Sequence, residues 1–151
     1  MKKGFNLLMA IMIILILSGA AVLTIRYVSI SAKHTADSYI KEQAEIFMQS
    51  AIEATLLKIE GYDRATNNNC LTNLTFNSAD GKFKATINIT KYYLYNGVDN
   101  DGTNYCGSLT KNIKTEESHG YIMIEAVVET TSNARVKDAH IRITRRTLQR
   151  P

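Results

Sequence analysis

An uncharged apolar run from Phe5 to Ile25 constrains this chain more than any other feature. Asn6, Ser18 and Thr24 are the only clearly polar side chains in it. As a helix rising about 1.5 Å per residue, the run spans roughly 31 Å, the thickness of a bilayer's hydrocarbon core. One end of the chain is therefore expected in a membrane. Lys2 and Lys3 precede the run. The positive-inside rule then places the N-terminus in the cytoplasm and the remaining residues across the membrane.

Three arrangements account for such a start. A cleaved secretory signal has a basic start, an apolar stretch and small residues such as Ser18-Gly19-Ala20. Here the apolar stretch continues beyond that site through Ala21-Val22-Leu23 to Ile25, which argues against cleavage there. A generic single-pass anchor explains the apolarity but not the order Lys-Lys-Gly-Phe. The third arrangement cuts the chain before the apolar run, between Gly4 and Phe5, and keeps the helix.

Met1-Lys2-Lys3-Gly4-Phe5-Asn6-Leu7-Leu8 resembles the leader and first helix of type IV pilins and type II secretion pseudopilins. The specific resemblance covers about the first 30 residues. It implies processing at Gly4/Phe5 by a prepilin peptidase and methylation of the new N-terminus. It also implies assembly with other pilin or pseudopilin subunits at an inner membrane, with the C-terminal domain in the periplasm. The family usually carries Glu at the fifth mature position, where this chain has Met9. A carboxylate in lipid needs a partner charge, and Met9 offers none. That departure favours a minor or initiating subunit over a major pilin. On this resemblance residues 1–4 are the leader, 5–29 the transmembrane helix, 30–60 its amphipathic continuation and 61–151 a periplasmic β-sheet domain.

The continuation is legible in the residues themselves. From Asp37 to Glu60 no Gly or Pro interrupts the chain. At 100° per residue, Ile40, Ala44, Phe47, Met48, Ala51, Thr55 and Leu57 gather on one side, extended by Ile52, Leu56 and Ile59. Glu42, Glu45, Gln49, Glu53 and Glu60 fall opposite. Gly61 is a stop signal. Ile46 is the exception, an apolar residue among Glu42, Gln49, Ser50 and Glu53. Together with Asn6, Met9 and Gly19, it is the candidate contact with neighbouring subunits.

Beyond Gly61 the period changes. Phe83, Ala85, Ile87 and Ile89 alternate with Lys84, Thr86, Asn88 and Thr90, as in a half-buried strand. Asp80-Gly81 predicts a hairpin back to a short strand near Leu74 to Phe76. Tyr92 to Tyr95 extends the central strand, Tyr121 to Thr130 forms another, and Ala139, Ile141 and Ile143 mark a last one. The expected fold class is α+β: one long N-terminal helix packed on a small antiparallel sheet of three or four main strands.

Cys70 and Cys106 are an even pair on the exported side, which suggests one disulfide. Asp99 and Asp101 sit in a segment resembling part of a calcium loop. Gly97 and Ser108 occupy positions where an EF-hand needs acids, and Asn96-Gly97 and Asp101-Gly102 are strong turn pairs. A turn is the preferred reading, with Asp99 and Asp101 the only metal candidates. His34, His119 and His140 lack metal-ligand spacing and nucleophile motifs, so no catalytic residue, cofactor or small-molecule substrate is expected. Residues 135–151 hold six basic residues and one acid. Arg142, Arg145, Arg146 and Arg150 could form a basic patch for nucleic acid. A solvated strand edge or an acidic neighbouring subunit is preferred, because no aromatic interleaving is visible in that segment.

The function expected is that of a minor pilin or pseudopilin-like structural subunit that assembles without catalysis. The alternative is a single-pass inner-membrane protein with a periplasmic ligand- or DNA-binding domain.

Overall fold

A computed structural model of the chain describes residues 2–131 and 140–151, with side chains from Leu7 onward. Two compact units divide it, Met1–Ile40 and Lys41–Pro151. The first is wholly helical where described, and every side chain from Leu7 to Tyr39 is exposed. Helix α1, Lys2–Glu60, is long and apolar enough near its start to cross a membrane. Two polar residues of that stretch, Ser18 and Thr24, are satisfied within the helix. Ser18 Oγ donates to the Leu15 carbonyl at 3.0 Å, and Thr24 Oγ1 to the Ala21 carbonyl at 2.8 Å. Such back-bonding removes the cost of carrying a hydroxyl in an apolar medium.

In the second unit, α1 buries Ala44, Met48, Ala51, Ile52, Thr55 and Ile59. This is the i, i+4, i+7 spacing of one helix face. Thr55 is a tolerable core residue because its hydroxyl donates to the Ala51 carbonyl at 2.8 Å. Phe47 leaves the same side to stack on Phe83, with centroids 6.2 Å apart. Leu57 departs from the expected stripe and is 69% exposed. It follows Ile46 by eleven residues, three turns plus roughly 20°, so it shares the exposed line of Ile46 rather than the core face. A short helix α2, Arg64–Asn67, follows, capped by Asp63 through the Thr66 N–H.

Five strands form the sheet: β1 Asn73–Asn77, β2 Phe83–Tyr95, β3 Thr110–Ile113, β4 Tyr121–Thr130 and β5 Arg142–Gln149. The order β1-β2-β4-β5 is antiparallel throughout. The 13-residue β2 is long enough to share one edge between two partners. β1 pairs with its first part, and β3 pairs in parallel with Tyr92–Tyr95. A parallel neighbour requires the chain to leave and return, and residues 96–109 make that crossover. β3 was not expected from its sequence, Thr-Lys-Asn-Ile, which is short and lacks alternation. The last strand begins at Arg142, later than expected, and Ala139 lies outside the described residues.

A bulge between Ile89 and Lys91 changes the phase of β2. Before it, Phe83, Ala85, Ile87 and Ile89 face the helix; after it, Tyr92 and Leu94 do. The extra residue, Thr90, donates its hydroxyl to the Met123 carbonyl at 3.2 Å. Ile122, Ile124, Ala126 and Val128 of β4 complete the core.

Candidate functional site

Gly4, Phe5 and Asn6 lie within α1, and their side chains are outside the described set. Met9 is 55% exposed, and a side chain added at Gly19 would meet nothing within 4 Å. Ile46 is 69% exposed. It borders an apolar groove of about 520 Å³ shared with Phe47, Ala79 and Phe83. Gln49 and Glu53 beside it hydrogen-bond each other at 3.1 Å, which leaves Ile46 and Leu57 as the apolar residues of that polar side.

The loop after β2 is organised by charge. Asp99 Oδ1 accepts from Arg64 Nη1 at 2.6 Å, with the two side chains 12% and 28% exposed. The second oxygen, Oδ2, is buried with no donor. Burial pushes the Asp99 carboxyl above the usual carboxylate range, and the Arg64 guanidinium offsets only part of that. Arg64 also lies 5.8 Å from the centre of the Tyr92 ring. Tyr92 donates its hydroxyl to the Leu71 carbonyl at 2.8 Å, and burial pushes the phenol up to about 12. Asp101 accepts from the Thr103 N–H at 3.0 Å and from the Tyr105 hydroxyl; the Tyr105 bond is the main cause of its lowered pKa. Both carboxylates named as calcium candidates thus carry protein donors. Among the described residues no group of three His, Cys, Asp or Glu could hold a metal ion. His119 has a structural task, accepting the Tyr95 N–H on Nδ1 at 2.9 Å.

Cys70 and Cys106 form a disulfide with Cα atoms 5.0 Å apart. It fastens the approach to β1 to the crossover that leads into β3. Asn104 Oδ1 adds a second fastening there, accepting from the Cys106 and Gly107 N–H groups and the Thr110 hydroxyl.

The four arginines are not gathered into one patch. Arg142 and Arg146 lie on the sheet face away from the helix, cross-strand from Glu129 and Glu125, at 3.3 and 3.5 Å. Arg145 falls on the helix side of β5, opposite Ala126. Arg150 follows the strand and places its guanidinium 5.8 Å from the Tyr121 ring centre.

A feature of the sheet was missed in the sequence. Past the bulge, Lys91, Tyr93 and Tyr95 turn to the face away from the helix, where Tyr93 lies opposite Tyr121 on one side and Lys111 on the other. A cavity of about 200 Å³ opens there, lined by Tyr93, Ile113, Ser118, Tyr121 and Leu148. The signal that could have located it is the lost alternation between Ile89 and Tyr92.

No family model, curated protein or solved structure matches the chain.

Proposed function

We propose that the chain is a minor pilin or pseudopilin-like subunit that assembles with related subunits and performs no chemistry itself. Its apolar first helix is held in an inner membrane after removal of residues 1–4, and the domain from Lys41 onward stands in the periplasm. The observation that carries this reading is the exposed apolar surface of α1. The run from Leu7 to Ile25 has no covering partner among the described residues, and Ile46 and Leu57 continue exposed on the otherwise polar side. Exposed apolar residues of this kind are removed from water by lipid for the first stretch and by neighbouring helices for the second. The disulfide supports an oxidising compartment for the domain. Met9 in place of an acid supports a minor or initiating position.

Mass spectrometry of membrane-extracted protein tests the processing step. A mature chain beginning at methylated Phe5 is expected. A mature N-terminus at Ala21 would identify a secretory signal and remove the filament reading. The alternative, a single-pass protein with a periplasmic binding domain, is favoured by one observation, the cationic and aromatic outer face of the sheet.

A further inference from the structure

The face of the sheet turned away from the helix carries an arrangement that the filament reading does not use. Tyr93 and Tyr121 are directly opposite on neighbouring strands, whose backbones run about one strand spacing, ~4.8 Å, apart. Lys111 adjoins Tyr93 on β3, and the Arg150 guanidinium lies over the Tyr121 ring. Four segments thereby align a cation, two aromatics and a cation in one row. Lys91 and Arg146 lie nearby on the same face, and Lys84 and Arg142 lie toward its other end. Against these, the carboxylates of that face among the described strand residues are Glu125 and Glu129, each paired to an arginine. The excess positive charge is held by Lys84, Lys91, Lys111 and Arg150.

The bulge gives this arrangement its cause. Were Thr90 accommodated without a bulge, the alternation of β2 would continue unbroken, placing Lys91, Tyr93 and Tyr95 in the core and Tyr92 outside. The extra residue turns Lys91, Tyr93 and Tyr95 outward together, a common use of bulges near binding sites.

We propose that this face is a platform for single-stranded nucleic acid. Bases stack on Tyr93, on Tyr121 and on the Arg150 guanidinium plane, and phosphates lie along Lys91 and Lys111. The occupant is chosen by chemistry. Flat rings spaced along a flexible polyanion match aromatic rings flanked by cations on an open sheet. A duplex hides its base faces and presents only phosphate. None of these residues lies on α1, so the inference stands or falls independently of subunit assembly.

The test uses the full chain in nanodiscs of phosphatidylcholine, titrated against a fluorescein-labelled 15-nucleotide oligothymidylate. Fluorescence anisotropy should report binding that weakens with salt, and Tyr121→Ala should weaken it roughly 5- to 150-fold. Lys91→Gln and Lys111→Gln, both exposed and outside the core, should each reduce the logarithmic salt slope by about 0.7. They keep the proposal testable should Tyr121→Ala fail to fold. Three results would overturn it: no binding at 50 mM salt (roughly the low end at which phosphate contacts are strongest), equal binding of a 15-base-pair duplex, or equally effective competition by inorganic polyphosphate of matched charge.

Discussion

Replacing both cysteines, Cys70→Ala with Cys106→Ala, measures how much of the domain's stability comes from restricting its unfolded chain. The bond joins residues separated by 36 positions. In the chain-entropy model a loop of that length removes about 13 cal/mol/K from the unfolded ensemble, or about 4 kcal/mol at 25 °C. The unit from Lys41 onward has roughly 110 residues, and at about 2.1 cal/mol/K per residue its unfolding entropy is near 0.23 kcal/mol/K. The expected fall in Tm is therefore about 15–20 °C. The folded structure should persist, because Asn104 still holds the start of β3 through three donors and β3 still pairs with Tyr92–Tyr95. Circular dichroism melting of the full chain in detergent reads the first effect, and amide exchange at 10 °C reads the second. A Tm within 5 °C of the parent would refute the entropic assignment. So would selective loss of protection in β3 with the rest unchanged, because the bond would then act on the folded state alone.

Phe47→Lys should destabilise the domain by about 3 kcal/mol, since it removes the stack on Phe83 and places an ammonium against the core edge; an unchanged melting curve would contradict that placement. Asp80 and Asp99 should respond to pH in opposite senses. Asp80 is held at about 2, chiefly by the Ser78 hydroxyl and then by Lys82, so its contribution to the turn is present above its ordinary value of 3.8 and is lost as pH falls through about 2. Asp99 is raised by burial, so its contribution is full below 3.8 and is lost as pH rises through its folded-state value. Carbon-detected NMR titration of the carboxyl groups should place Asp80 below and Asp99 above the ordinary range; Asp99 titrating low would mean that Arg64 outweighs burial.

The long helix and the first part of β2 were legible because their residues obey one period over many positions. Ala44, Met48, Ala51, Thr55 and Ile59 recur at helical spacing, and Phe83 to Ile89 alternate. Tyr121–Thr130 was placed at its observed bounds by its β-branched content and its apolar run rather than by a period. Leu57 was misplaced because the stripe was drawn too broadly, admitting a residue that shares the line of Ile46. β3 was invisible because four residues carry no period, and its pairing is fixed by a crossover, a disulfide and the Asn104 side chain. The outer sheet face was hidden for a different reason. Lys111, Tyr93, Tyr121 and Arg150 are distant in sequence and meet only through strand register. The same register separates Arg145 from Arg142 and Arg146, which are close in sequence and on opposite faces. Charge pairing is equally non-local: Arg64 and Asp99 are 35 residues apart, and neither segment announces the other.

The claim that this chain is an assembling subunit is tested most directly at Ile46. A cysteine at that position, in a chain otherwise unchanged and expressed in its own membrane, should crosslink to a neighbouring pilin-like subunit. Ile46→Lys should abolish co-assembly while leaving the domain folded, because the side chain is 69% exposed. Absence of any crosslink, with Ile46→Lys assembling as the parent does, would contradict the account and leave α1 as a solitary anchor.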